Sequence, residues 1–193
     1  MAKTISNNGV NLIKKYEGCR LTAYKCVSTE QYYTIGWGHY GKDVVKGQKI
    51  TQEQADALLL LDLKKYVDYV NNTAYCPYAG NLNQNQFDAL VSFTYNCGAG
   101  NLKTLCAGRE LDEIGDAMTK YVKSGGKTLA GLVKRRKEEQ QLFFTPVVNV
   151  AYQSEKAAAR EWAKSMGISD GSNPTEPATR EQVLVMLYRA LHK

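Results

Sequence analysis

The chain has 193 residues, 44% hydrophobic and 23% charged, with 25 Lys and Arg against 19 Asp and Glu for a formal charge of +6. That length fits one full domain with room for a small appendage, and no apolar run approaches the roughly 18 residues of a membrane span, so a membrane protein and a disordered tail are both excluded. The basic surplus lies almost entirely before residue 145 and favours an anionic partner, with nucleic acid, a membrane surface and acidic polymers all open at this point.

The first residues, Met-Ala-Lys-Thr-Ile-Ser-Asn-Asn-Gly, contain no apolar stretch of about 7 to 15 residues, so no secretory signal is expected. Gly9, Leu12, Ile13 and Tyr16 then follow helical spacing, with Gly18 as a left-handed cap and Glu17 at the helix end. From Leu21 to His39, Tyr, Thr, Ile and Trp flank a polar Ser28-Thr29-Glu30-Gln31 stretch, the pattern of a hairpin whose second strand is Thr34 to His39. Thr51 with Gln54 is a capping box opening a long helix through Val70; Asn83 with Gln86 opens another that Gly98 and Gly100 stop. Leu111 to Tyr121 reads as a helix ended by Gly125-Gly126, and Leu129 to Phe143 as a last one with a basic face.

The helical period fails at Thr145-Pro146, which marks a boundary: residues 1–144 as one domain, 145–150 as linker, 151–193 as a second unit. In that unit Ser154 is expected to cap a helix through Trp162 to Met166. A Gly171-to-Pro174 loop follows, and Thr179 with Gln182 caps a second helix. The five cysteines are odd in number, all precede residue 107 and lack Cys-x2-Cys spacing, so neither a disulfide scaffold nor a metal site is suggested and at least one thiol is free.

Glu17 carries the chemical interest. A helix C-terminus disfavours a second negative charge, which suits a carboxylic acid that must stay protonated. Glycoside hydrolysis needs such an acid, plus a second group that activates water or attacks the anomeric carbon. Cys26 and Thr34, on the two expected strands, are candidates for the second group and its helper.

The run Glu17-Gly-Cys-Arg-Leu-Thr-Ala-Tyr-Lys-Cys26, then Tyr33-Thr34-Ile-Gly-Trp-Gly-His39, closely resembles the phage-type lysozymes, the T4 and lambdoid endolysin family of glycoside hydrolase family 24. Ser92 to Gly98 and Ala130 to Arg136 look like later helices of that family, so the resemblance covers about residues 5–144. It implies an α+β, mainly helical lysozyme-like fold with a small N-terminal β-hairpin lobe. It also implies inverting cleavage between N-acetylmuramic acid and N-acetylglucosamine, without a cofactor. Glu17 falls on the general acid, Cys26 on the family's Asp or Cys, and Thr34 on the Thr that helps hold the water. Tyr40, Tyr95 and Thr104 fall on substrate-contacting positions, Tyr95 being equally readable as a packed core residue. His39 reads as a structural residue tying the hairpin to the next segment. Cys19, Cys76, Cys97 and Cys106 read as small buried apolar residues.

Two departures stand out. The Cys26-to-Thr34 gap is seven residues where the family has five, read as two extra turn residues within Val27 to Gln31; an even insertion keeps Thr34 on the same strand face. An ordinary thiol is mostly protonated at neutral pH and is a poorer base than Asp. Either the site makes Cys26 a thiolate, or Cys26 positions water while Glu17 dominates.

Trp162 to Ile168, Asp170-Gly171 and Pro177 to Arg189 resemble one S-layer-homology motif, which implies binding to a secondary polymer of Gram-positive walls. About 45 residues bury little apolar surface, so this unit is expected to dock or self-associate. The resemblances together imply a phage endolysin made in the host cytoplasm and released to the wall by a holin, with peptidoglycan glycan strands as partner and neither nucleic-acid binding nor stable membrane insertion. Two other functions are weighed: a peptidoglycan peptidase or amidase using Cys26 with His39, and a non-catalytic wall-binding protein.

Overall fold

A computed structural model describes residues 2–147, 150–170, 172 and 179–191. The chain divides into two compact units, Met1–Val147 and Val148–Lys193. Unit one opens with α1 (Asn7–Tyr16), capped by the Ser6 side chain, which accepts from Asn8 N–H at 3.2 Å. Three antiparallel strands follow, β1 (Arg20–Tyr24), β2 (Tyr33–Gly36) and β3 (His39–Gly41), in the order β1-β2-β3. Tyr24 faces Thr34 across β1 and β2, and Ile35 faces His39 across β2 and β3.

Next come the helices α2 (Gln52–Asn71), α3 (Gln84–Cys97), α4 (Ala99–Cys106) and α5 (Leu111–Met118), a two-residue ribbon β4 (Lys123–Ser124) and β5 (Lys127–Thr128), and α6 (Ala130–Phe144). Both capping boxes, Thr51 with Gln54 and Asn83 with Gln86, form as the sequence spacing predicts. The core is built around α3, on which every residue from Phe87 to Thr94 is buried; α1, α2, α4 and α6 pack against it. Such a helix, enclosed on all sides, carries Asp88, Ser92 and Thr94 inside, and each is hydrogen-bonded. Asp88 accepts from Ser6 N–H at 2.9 Å and also pairs with the Ser6 hydroxyl, tying the start of α1 to α3. Gly9 makes that crossing close: a Cβ there would meet Ile5 Cγ1 at 2.7 Å and Asp88 Cβ at 2.8 Å.

Several expectations need correction. Gly18 is not a left-handed cap; Glu17 itself caps α1 in extended conformation, φ −101°. The strand expected from Thr34 to His39 breaks at Gly36 (φ 62°) and Gly38 (φ 101°), a turn open to glycine, and the chain returns as β3. Gly98 (φ 84°) ends α3, whereas Gly100 lies inside α4, a helix the pattern did not reveal. Gly125-Gly126 does not end a helix: α5 stops at Met118, and the pair forms the tight turn between β4 and β5. The basic face expected on α6 is partly turned inward, with Arg135 3% exposed and Arg136 fully buried. Only Cys76 and Cys106 among the four expected core thiols are buried; Cys19 and Cys97 are half-buried, and all five are free.

In unit two, α7 (Val150–Ser165) begins before Ser154, so that serine lies within the helix and not at its cap. Gly167 (φ 62°) ends it as expected. Thr179 and Gln182 form the expected box at α8 (Arg180–Leu191), their bonds 2.8 and 3.2 Å. The loop expected at Gly171 to Pro174 falls largely outside the described residues. Leu184, Leu187, Tyr188 and Leu191 of α8 are all exposed.

Candidate active site

Glu17 emerges from the last turn of α1, its backbone N–H donating to Lys14 O at 3.3 Å. Its carboxyl does not stand alone at the helix end. Arg135 Nη1 donates to Glu17 Oε1 at 2.7 Å, a charge-assisted bond that acts against the unfavourable field of the α1 carbonyls. Among the described residues Oε2 accepts no hydrogen bond, so one carboxyl oxygen is anchored and the other is not.

Arg135 is fixed in turn. Its Nε donates to Glu139 Oε1 at 3.1 Å and its Nη2 to Ser92 O at 3.3 Å. Glu139 is fully buried, and the same Oε1 accepts from Ser92 Oγ at 2.7 Å and Arg136 Nη2 at 3.0 Å. Arg136 Nε approaches Glu139 Oε2 at 2.8 Å, a charge contact whose angle is too poor for a hydrogen bond. The spacing explains the arrangement: positions 135, 136 and 139 are i, i+1 and i+4 on one helix, so both guanidinium groups flank one carboxylate. A buried carboxylate survives there because both cations and a hydroxyl satisfy it.

The other two candidates lie on or beside the sheet. Thr34 is buried on β2 opposite Tyr24. Cys26 follows β1 and is exposed, within hydrogen-bond reach of the Tyr24 hydroxyl. Burial and then the neighbouring Cys26 push the Tyr24 phenol above its ordinary range, with Arg20 opposing, so Tyr24 stays a donor. The loop beyond Cys26 turns back on itself, and Glu30 Oε2 accepts the Cys26 N–H at 2.8 Å.

His39 Nδ1 lies 2.9 Å from Asp62 Oδ2, and Nε2 lies 2.9 Å from Asp43 Oδ2. Burial works against its charged form, but hydrogen bonds to Asp43 and Asp62 outweigh it and raise the imidazole above its ordinary value. Both ring nitrogens are thus occupied in tying β3 to α2 and to the following loop. The Trp37 indole donates to Asp56 Oδ1 at 2.7 Å, and Lys14, Trp37 and Gln52 together hold the Asp56 carboxyl down at about 2.

Tyr95 is packed, its ring edge-on to Tyr66 at 5.1 Å and its hydroxyl donating to Trp37 O at 3.2 Å. Burial, followed by the charge of Glu17, drives its phenol strongly upward. Tyr40 is exposed, accepting Tyr32 N–H at 3.2 Å, and Thr104 is exposed on α4, its hydroxyl bonded back to Gly100 O at 3.1 Å. Arg135, Glu139, Ser92 and Glu30 were missed in the sequence reading. The one signal available for the first two was a charged triplet at 135, 136 and 139 between the apolar positions Leu132, Val133 and Phe143.

The sequence model of the phage lysozyme family matches residues 14–139. The chain belongs to the phage lysozyme family. It is 48% identical over 147 residues to the endolysin of Bacillus phage B103, covering 73% of this chain and 54% of that protein. It is 50% identical over 144 residues to the endolysin of Lactococcus phage c2, covering 74% and 61%. The chain therefore spans little more than half the length of these curated relatives. Among solved structures, the muramidase domain of SpmX from Asticaccaulis excentricus superimposes with a TM-score of 0.62 at 38% identity over 74% of this chain and 99% of that one. As a phage lysozyme the chain carries the family's α+β, mainly helical architecture in unit one.

Proposed function

We propose that this chain is a phage endolysin that hydrolyses the β-1,4 bond between N-acetylmuramic acid and N-acetylglucosamine in peptidoglycan. Glu17 is the general acid, and Thr34 with Cys26 holds the attacking water. The observation that carries this reading is the placement of Glu17: one carboxyl oxygen is fixed in position by Arg135 at 2.7 Å, and the other accepts no hydrogen bond among the described residues. Family membership and the likeness to the SpmX muramidase domain support the substrate class.

Tyr40, exposed on β3, presents a ring face and a hydroxyl suited to a sugar; Tyr95 and Thr104 are the weaker contacts, one packed and one bonded to its own helix. The exposed apolar residues of α8 support an attachment role for 148–193, on a wall polymer or a second copy. Release to the wall during host lysis accompanies this reading.

Digestion of purified peptidoglycan tests it. Wild-type protein yields new reducing sugar ends, and Glu17→Gln reduces their rate by about 10²- to 10⁴-fold. New free amines in place of reducing ends would instead establish the peptidase or amidase reading, which the double engagement of His39 disfavours.

A further inference from the structure

We propose that Cys76 and Cys106 are a covalent site: a buried dithiol that a small-molecule disulfide oxidises to an intramolecular disulfide, locking the connection between α2 and α3 to the end of α4. Neither thiol is used by the catalytic reading above, so the two stand or fall separately.

The first observation is that two thiols are buried in one place. Of the five free cysteines only Cys76 and Cys106 are fully buried, and both belong to the hydrophobic core built around α3. A single buried thiol is an ordinary small apolar residue. Here the two side chains are bonded to each other: the Cys106 thiol donates to the Cys76 sulfur, which also accepts from the Tyr78 N–H. The segments that carry them are fastened together by other groups as well. The Tyr78 hydroxyl, just beyond Cys76, donates at 2.8 Å to Oε2 of Glu110, just beyond Cys106. Arg109 Nη1 donates to Thr104 O at 2.8 Å and Leu105 O at 3.0 Å, closing the end of α4 beside the pair.

The second observation is the backbone on either side. A covalent link needs the sulfurs to close from hydrogen-bond contact to about 2.05 Å. Cys76 lies in a run of short turns, its N–H donating to Asn72 O at 2.9 Å and its carbonyl accepting from Ala79 N–H at 3.0 Å, while Cys106 is the last residue of α4. Neither cysteine sits in the middle of a helix, so the adjustment breaks no interior helical bond. Entry of the oxidant requires the turns from Asn72 to Asn83 to open, a local event that falls short of global unfolding.

The hydrogen bond between the thiols also sets the order of events. Donation by Cys106, helped by the Tyr78 N–H, outweighs burial and holds the Cys76 thiol below its ordinary range; the same bond, followed by burial, pushes Cys106 up. The thiolate is the nucleophile, so Cys76 attacks first. Its sulfur bonds to one sulfur of the small disulfide RSSR, and the other leaves as RS⁻ with the electron pair of the broken bond and takes up a proton. Cys106 then loses its proton to solvent, attacks the Cys76 sulfur and expels the second RS⁻. Two protein thiols and one RSSR become one protein disulfide and two RSH, two electrons passing from the protein to the small molecule. The ring so closed runs from residue 76 to residue 106 and contains all of α3, the centre of the core. Constraining that segment in the unfolded chain raises the melting temperature of unit one by about 7 to 15 °C. Unit one is therefore more resistant to unfolding where thiol reductants are absent than where they are abundant.

The experiment uses the full chain, purified in dithiothreitol, desalted and incubated with glutathione disulfide. A non-reduced digest of the wild type is read by mass spectrometry, and calorimetry compares the melt before and after oxidation. The expected result is a peptide cross-linked through Cys76 and Cys106, a melt raised by about 7 to 15 °C, and reversal of both by dithiothreitol. Exposed Cys26 takes up glutathione on its own account, so thiols are counted by maleimide labelling in a variant combining Cys19→Ser, Cys26→Ser and Cys97→Ser, where they fall from two to none. Cys106→Ala is expected to melt at the same temperature with and without oxidant; should that variant not fold, the wild-type digest and melt decide. Wild type that yields no cross-link, only glutathione adducts, or a cross-link between another pair overturns the proposal. So does a Cys76–Cys106 bond that leaves the melt unchanged or lowers it.

Discussion

Replacing Glu139 by Ala removes the shared acceptor of two buried guanidinium groups. Glu139 Oε1 holds Ser92 Oγ, Arg135 Nε and Arg136 Nη2 between 2.7 and 3.1 Å, and both arginines are essentially inaccessible. Taking away one partner of a buried ion pair costs about 3 to 5 kcal/mol, chiefly because the remaining charge stays buried without compensation. For a unit of 147 residues, each kcal/mol lowers the melting temperature by about 3 to 4 °C, giving a fall of about 9 to 20 °C by differential scanning calorimetry. Activity falls as well, since Arg135 loses the contact that aims it at Glu17. Because the penalty comes from orphaned charge and not from lost volume, Arg136→Met combined with Glu139→Leu is expected to melt above Glu139→Ala. A Glu139→Ala melt within about 2 °C of wild type would refute the reasoning, since it would mean that the guanidinium groups find other partners at no cost.

Two further outcomes follow from the geometry. The His39 imidazole is raised above its unfolded value by Asp43 and Asp62 against burial, so its contribution to stability is full below about pH 6.5 and is lost as pH rises through the folded value. Urea unfolding at pH 5.5 and 8.5 is expected to show this loss in wild type and a smaller one in His39→Gln; equal losses would refute it. Gly9→Ala drives a Cβ into Ile5 and Asp88 and is expected to destabilise by about 1 to 3 kcal/mol, read as a lower urea midpoint at unchanged activity per folded molecule.

What the sequence revealed depended on how local the signal was. The boxes at Thr51, Asn83 and Thr179 were legible because a cap is a contact across three residues, and each forms where the pattern places it. α4 was not, because Gly98 and Gly100 look alike in sequence and only their conformations distinguish a stop from a residue inside the next helix. The Glu17, Cys26 and Thr34 spacing was readable, but their supporting residues were not. Arg135 reaches Glu17 across 118 positions of chain, and Ser92 reaches Glu139 across 47, separations that no periodicity encodes. The helix was read as carrying a basic face, and the burial of Arg135 and Arg136 was not legible because it depends on pairing with Glu139 and on a hydroxyl from another helix.

Trp37 gathers constraints from three helices at the turn between β2 and β3. Its indole is bonded to Asp56 of α2, its carbonyl accepts from Tyr95 of α3, and the Lys14 ammonium of α1 lies 5.3 Å from its ring centre. Those contacts all fall at one end of the sheet. In this sheet the opposite end is the loop from Lys25 to Tyr32, so the strand that carries Thr34 runs from a braced corner toward the edge that holds Cys26 and Glu30. Under the proposed function, the sheet places the residues on the water side of the bond to be broken, while Arg135 in the helical body places the acid, so the two sides are set by separate contacts.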